Sequence, residues 1–250
     1  MSVVHIAWRD FSAAFSGPVG WLVLCGWLLV VGFFWTWSFN IYVIDSQDVV
    51  FNPYAASYLN LTDYLLAPFF GNLAVVLVLT MPALTMQTFA QERARHTLEL
   101  LFTSPVSTLE IVLGKFLGTW AFLLLLLGLT MPYPISLYLW GAPDPGAIAG
   151  GFLGLLLLAS ALLSLGMLVS AFTDSQLVAL FLTFVAGLVL LLADGRGGDP
   201  DSVPAQLSLM THLGDLLRGA VRLSDVAYFV GFTGFFLFAT HQRLESFRWS

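Results

Sequence analysis

Residues 91–115 read QERARHTLELLFTSPVSTLEIVLGK, a short charged segment that separates two long stretches without any charge. Residues 64–91 contain no Asp, Glu, Lys or Arg, and residues 116–143 contain none either. Each stretch is longer than the roughly 20 apolar residues that a helix needs to cross a hydrocarbon core. The segment is therefore predicted to be a turn outside a membrane, between two spans of opposite direction.

Stretches without charge recur along the whole chain, at residues 11–44, 64–91, 116–143, 145–173, 175–193 and 226–242. The hydrophobic fraction of 58% exceeds the roughly 45–50% of soluble domains. The last stretch is short, but its polar flanks can lie at the membrane interface. The sequence predicts an all-α integral membrane protein with six transmembrane helices, which form a single transmembrane domain over residues 1–250.

The basic residues predict the orientation of these spans. An even number of spans places both termini on one side, which then carries six of the nine Lys and Arg: Arg9, Arg93, Arg95, Lys115, Arg243 and Arg248. The remaining three lie in a longer and mostly acidic loop on the other side. Because cytoplasmic loops are enriched in Lys and Arg, both termini and residues 91–115 are predicted to be cytoplasmic.

Two segments outside the spans show helical amphipathicity. Residues 1–16 place apolar side chains on one face, which is typical of an interfacial helix lying flat on the membrane; the alternative is a solvated first turn of span one. Gly17-Pro18 is predicted to end this helix. In the outer loop, residues 194–225, a short interfacial or re-entrant helix is predicted before span six, with one face formed by Leu209, Leu213, Leu216, Leu217 and Ala220.

The turn itself is predicted to contain a coupling helix between spans two and three. Span two extends beyond the membrane, so that Glu92, Arg93 and Arg95 lie in the cytosol. A short amphipathic helix follows at residues 97–101, and Pro105 ends it.

The next helix has a predicted cap. Ser107 and Glu110 have the spacing of a capping box. Lys115 follows about one turn later, where its stem is predicted to snorkel to the lipid headgroups. The geometry alone leaves two equal alternatives, a helix that transmits movement to the spans or a well-capped loop.

Several functional classes are disfavoured by what the sequence lacks. Ionisable residues inside spans usually mark ion and proton pathways, and the six stretches contain no Asp, Glu, Lys or Arg. The only lysine, Lys115, lacks the Ser or Thr and the first glycine of a P-loop. No basic patch predicts nucleic-acid binding, and no catalytic, cofactor-binding or metal-ligating set is predicted. Any energy must therefore come from a partner.

The pattern E-R-x-R-x-T-L-E-L-L-x-T-S-P-V-S-x-x-E-I-V-L-G-K resembles the coupling segment of ABC-2 type transporter permeases, and is nearest to the permease subunit associated with bacterial gliding motility. The resemblance continues through GAPDPGAIAGGFLGLLLL at 141–158, LVSAFTDSQLVAL at 168–180 and SDVAYFVGFTGFFLF at 224–238. Two positions depart from it, since His96 stands where Gly is usual and Ser175 where Asn is common.

The resemblance implies a subunit that docks on a separate P-loop ABC ATPase through the coupling segment, residues 91–108. The residues implied in docking are Glu92, Arg93, Arg95, Thr97, Leu98, Glu99, Leu100 and Leu101, with Pro105, Ser107, Glu110 and Lys115 as caps. A second permease chain, identical or homologous, and a multi-pass location in the bacterial inner membrane are implied as well.

The output of this assembly stays open in the sequence. Spans without charge fit an ATP-driven exporter of a lipidic or amphipathic substrate. The alternative is a mechanical or scaffolding subunit of an envelope machine. A third interpretation, an intramembrane enzyme, is disfavoured because the spans contain too few polar residues. A possible outer gate is predicted from spacing at Asp215, Arg218, Arg222 and Asp225, although exposed ion pairs of this kind usually contribute little.

Overall fold

The computed structural model describes residues 3–48, 59–94, 107–193 and 206–248, and this part of the chain consists of helices and turns. In chain order the α-helices are α1 (Val3–Ser16), α2 (Pro18–Asp48), α3 (Ala67–Thr85), α4 (Ala90–Ala94), α5 (Thr108–Thr130), α6 (Pro132–Ser136), α7 (Pro145–Phe172), α8 (Gln176–Leu192), α9 (Leu209–Leu217) and α10 (Leu223–Arg248). A π-helix at Leu61–Leu66 precedes α3, and a 3-10 turn at Leu137–Leu139 follows α6.

Five helical segments are long and apolar enough to cross a membrane: Gly20–Gln47, Leu61–Ala94, Thr108–Leu139, Pro145–Phe172 and Leu223–Phe247. The apolar helix α8, at Gln176–Leu192, has 17 residues and is therefore only about 26 Å long. The all-helical membrane architecture is confirmed. The count of six spans stays a prediction, because α8 is the shortest helix among the six candidates.

Helix α7 lies at the centre of the bundle, and small residues let its neighbours approach. A Cβ atom on Gly151 would lie 2.4 Å from the Phe70 ring, and one on Gly166 would lie 2.4 Å from Thr85 Oγ1. Gly154 faces Leu213 and Leu216 of α9 in the same way. Of the α7 span 67% is buried, whereas only 17% of the α2 and α10 spans is buried.

Helix α1 packs lengthwise against the first half of α5. Ile6 lies against Gly114, Ala7 and Asp10 lie against Gly118, and the rings of Phe15 and Phe122 have centroids 5.6 Å apart. The contacts advance in the same direction along both helices. The predicted N-terminal helix and its end at Gly17-Pro18 are confirmed, while its position at the membrane surface stays a prediction.

The segment before the last candidate span contains the predicted short helix. Its leucines Leu209, Leu213, Leu216 and Leu217 are buried. Ala220 was predicted on the same face, and this is wrong: it is exposed because α9 ends at Leu217 and the chain turns at Gly219. Gly219 has φ +84° and lies so close to Ala147 that a Cβ atom would meet its Cα at 2.8 Å, so both the backbone and the space require glycine.

We predict that Gly166→Ala lowers the free energy of unfolding by about 1–3 kcal/mol, because the added methyl group overlaps Thr85 in a packed site. The matched control is Gly128→Ala, since Gly128 is also inside a helix but has nothing within 4 Å of its would-be Cβ. The control should be neutral or slightly stabilising through helix propensity. Equilibrium unfolding in mixed micelles measures both, and equal stabilities of the two variants would contradict the close packing of α3 on α7.

Candidate functional site

The described parts of the predicted coupling segment are its two ends. Glu92 and Arg93 lie on α4, and Ser107, Glu110 and Lys115 lie at the start of α5. The predicted docking residues Arg95, Thr97, Leu98, Glu99, Leu100 and Leu101, and the predicted stop Pro105, lie outside the described residues. Their roles stay predictions.

The helical structure is interrupted between α3 and α4, and hydrogen bonds to α7 hold the chain at this interruption. Pro82 inside α3 has no backbone N–H, and the helix ends at Thr85. The hydroxyl of Thr88 donates to Thr85 O at 2.7 Å across the break. The backbone N–H groups of Phe89 and Ala90 then donate to Ser170 Oγ at 3.1 and 2.9 Å. Ser170 thus satisfies two of the N–H groups that a new helix leaves without intrahelical acceptors.

Glu92 connects α4 to α5 and α1 through Lys115. The Lys115 ammonium donates to Glu92 Oε1 at 2.7 Å and lies 3.5 Å from Asp10 Oδ2. Only 4% of the Lys115 side chain is exposed, and its ammonium lies 5.4 Å from the centre of the Phe89 ring. The predicted snorkelling of Lys115 to the headgroups is therefore wrong. Carboxylates from two neighbouring helices hold the ammonium inside the bundle, where a buried charge requires them.

Arg93 connects α4 to the α7–α8 turn and to α10. Its Nε lies 2.5 Å from Asp174 Oδ1 in the turn between α7 and α8, and its Nη1 donates to Ala171 O at 2.8 Å. The guanidinium also stacks on the ring of Phe247 on α10, with 4.4 Å to the ring centre. The sequence predicted Arg93 as a cytosolic docking residue, and the structure shows that it bonds within the chain.

These contacts define what we call the α4 anchor: Phe89, Ala90, Glu92 and Arg93 with their partners on α1, α5, α7, the α7–α8 turn and α10. A helix of five residues is unstable by itself, because nucleation costs more than so few hydrogen bonds return. Contacts with the other elements therefore hold α4 in place. Glu92 and Arg93 are adjacent in the chain, and their side chains bond to different elements of the bundle.

The other end of the coupling segment is fixed by the predicted capping box. Glu110 N–H donates to Ser107 Oγ at 3.3 Å, and Ser107 N–H donates to Glu110 Oε2 at 3.0 Å. The box satisfies N–H groups that would otherwise lack partners at the start of α5. The segment is thus attached at both ends to ordered helix termini.

The four predicted gate residues are paired, two of them with each other and two with partners that the sequence did not indicate. Arg222 Nη1 lies 2.6 Å from Asp215 Oδ2, as the spacing predicted, in an exposed position. Arg218 Nε lies 3.8 Å from Asp63 Oδ1.

Asp225 is 6% exposed, and its Oδ1 lies 2.8 Å from Nδ1 of His212. That imidazole stacks on Tyr228 with 4.0 Å between ring centres. Asp63 could not be predicted as a partner because it lies in a distant segment of the chain, and His212 meets Asp225 across the turn at Gly219.

The described residues contain no group of three or more His, Cys, Asp and Glu side chains that could hold a metal ion. The chemistry of the described site is that of ion pairs between helices. Such pairs position elements relative to each other.

We predict that Lys115→Met lowers the free energy of unfolding by about 3–5 kcal/mol, because it removes the buried cation that Asp10 and Glu92 share and leaves Asp10 with Arg9 alone. Adding Glu92→Gln should restore part of the loss, with a coupling energy of roughly 0.5–3 kcal/mol in the double-mutant cycle. Arg222→Gln breaks an exposed pair and should change stability by less than about 1 kcal/mol. Equal losses for Lys115→Met and Arg222→Gln in mixed-micelle unfolding would show that the Lys115 contacts do not hold α4.

Comparison with known proteins places this architecture in a family. Residues 38–194, more than half of the chain, match the family described as ABC-2 family transporter protein. The match includes the last third of α2, helices α3 and α4, and helices α5 to α8. A search of curated proteins finds no match to the chain. The chain belongs to the ABC-2 transporter family and is a multi-pass membrane protein of its permease type.

Proposed function

We propose that this chain is the transmembrane subunit of an ATP-driven exporter in which the α4 anchor passes the movement of a separate ATPase to the spans. Membership of the ABC-2 family implies a permease that associates with an ABC ATPase. The observation that carries the proposal is the pair of adjacent residues Glu92 and Arg93, which bond to different elements of the bundle.

In the proposed mechanism the ATPase contacts the coupling segment after Ala94. Movement of that segment displaces α4 because the chain is continuous. Glu92 then acts on α5 and α1 through Lys115, and Arg93 acts on the α7–α8 turn and α10. The ATP hydrolysis belongs to the partner, and this chain contributes the mechanical connection.

The distribution of charge supports a lipidic or amphipathic substrate. The ionisable residues of the described candidate spans lie near the ends of helices, as Glu92, Lys115 and Asp225 do. The long middle portions of α2, α3, α5, α7 and α10 are apolar. A polar or ionic solute would need buried partners on its path, whereas an apolar chain needs none.

The proposed assembly lies in the bacterial inner membrane with both termini in the cytoplasm, as the distribution of basic residues predicts. It contains a second permease chain, identical or homologous. Helices α2 and α10 leave most of their surface uncovered within one chain, which makes surface available for lipid and for that second chain. Asp215, Arg218, Arg222 and Asp225 would then lie near the outer exit of the substrate.

We predict that Glu99→Lys abolishes docking of the ATPase, because it reverses a charge in the predicted contact. The measurement is the amount of P-loop ATPase that co-purifies with the tagged chain from its native membrane. Glu245→Lys is the control, since Glu245 lies on α10 near the α4 anchor and pairs with His241 of its own helix. Normal co-purification of the Glu99→Lys variant would contradict the predicted docking surface.

We predict that Arg93→Gln separates docking from transmission. The ATPase should still co-purify, because Arg93 bonds within the chain, but ATP-dependent transport should fall because α4 loses its contacts with Asp174, Ala171 and Phe247. The assay is ATP-driven export of a fluorescent phospholipid from reconstituted vesicles, with Glu245→Gln as the control. Unchanged transport by Arg93→Gln would exclude the α4 anchor as the connection.

The same vesicles separate export from the mechanical alternative. ATP turnover by the complex together with lipid flux supports an exporter. Turnover that depends on this chain without flux would support a subunit that transmits force to an envelope machine, which the resemblance to gliding-motility permeases also allows.

A further inference from the structure

A cleft lies beside the α4 anchor, and the ion pairs of the anchor give it no function. The cavity has a volume of about 510 Å³ and lies between α1 with the start of α2, the end of α3 with α4, and α5. Its size is within the range of ligand pockets, roughly 300–1,000 Å³. We call it the α1 cleft.

On all three walls of the α1 cleft the lining residues change from charged at one end to apolar or small at the other. On the α1–α2 wall Arg9 and Asp10 come first, followed by the small residues Ala13, Ala14, Gly17 and Gly20. On α5 the order is Lys115, Gly118, Thr119 and Phe122, and on the α3–α4 wall it is Glu92, Gln91, Thr88, Gln87, Leu84 and Ala83. Charged residues line one end of the cleft, and mainly small or apolar residues line the other end.

The charged end presents both signs in equal number. Arg9 and Lys115 provide two formal positive charges, and Asp10 and Glu92 provide two negative ones. The four form a chain in which Arg9 Nη2 lies 3.0 Å from Asp10 Oδ1, and Lys115 contacts both carboxylates. An isolated anion gains little from a cluster with no net charge, whereas a headgroup with a phosphate and an ammonium can meet both signs.

We propose that the α1 cleft binds one membrane phospholipid whose headgroup carries a phosphate and a primary ammonium. The phosphate would lie at the half-exposed guanidinium of Arg9, which suits bidentate contact with phosphate oxygens. The ammonium would lie at the carboxylates of Asp10 and Glu92, and the first part of an acyl chain would lie on the small-residue wall. The proposal depends on the membrane placement that the proposed function also uses, but on neither the ATPase nor transport.

The test is photo-crosslinking of the purified full-length chain in nanodiscs that contain phosphatidylethanolamine with a diazirine near the start of one acyl chain. Peptides that contain residues 9–20, 83–92 or 115–122 should be labelled. Unlabelled phosphatidylethanolamine should compete about tenfold better than phosphatidylglycerol, a difference of about 1.4 kcal/mol. Equal competition by the anionic lipid would overturn the assignment of the headgroup.

Variants that fill the cleft complete the test. Thr119→Trp should reduce labelling of these peptides about tenfold, whereas Leu117→Trp, on the exposed face of the same helix, should leave it unchanged. Ala13→Trp is a second filling variant at an exposed position, so that a folding defect of Thr119→Trp does not decide the result. Equal labelling in both filling variants and the control would overturn the site.

The outcome is independent of the proposed coupling mechanism. Lipid labelling is measured on this chain alone, whereas ATPase docking is measured by co-purification. Lipid labelling without ATPase association would support the lipid site and contradict the proposed function. ATPase association without lipid labelling would support the proposed function and overturn the lipid site.

Discussion

The arrangement of the bundle depends on how closely backbones approach α7. The membrane removes most of the hydrophobic drive between spans, so packing contacts and small residues determine which helices associate. On α7, Gly151 accommodates Phe70 of α3, Gly154 accommodates α9, and Gly166 accommodates Thr85. The last contact matters most for the site, because Thr85 is where α3 ends and Ser170, one turn beyond Gly166 on α7, receives the first N–H groups of α4. The close packing of α3 on α7 thus determines where α4 lies at the end of the bundle.

Buried charge gives that end a definite geometry. An ammonium taken out of water is tolerated only with partners in good geometry, and Lys115 has carboxylates from α4 and α1. If either carboxylate moves away, the buried cation keeps only one of its two partners, so the three elements constrain one another. Two of the pairs around α9 differ, since Asp215 with Arg222 and Asp63 with Arg218 are exposed and solvent screens them. The third, Asp225 with His212, is more buried.

The sequence predicted the fold well where a pattern repeats along the chain. Long stretches without charge predicted the apolar helices, Gly17-Pro18 predicted the end of α1, and the Ser107–Glu110 spacing predicted a cap that the structure contains. It failed where the partner comes from a distant segment. Lys115 resembles any lysine at a membrane boundary until Asp10 and Glu92 are placed beside it, and nothing in the sequence separates Arg93, bonded within the chain, from a docking residue. His212 and Asp225 meet only because Gly219 reverses the chain.

The α4 anchor and the α1 cleft share Glu92, Lys115 and Asp10, and this has a thermodynamic consequence. A lipid that binds the cleft more tightly in one position of α4 than in another shifts α4 toward that position by its difference in affinity. An ATPase that prefers one position of α4 does the same from the other side. Linkage requires that the two effects be reciprocal, so that lipid binding changes ATPase affinity by the same factor as ATPase binding changes lipid affinity. Because one buried lysine bonds to both α4 and α1, this coupling needs no path longer than a single side chain.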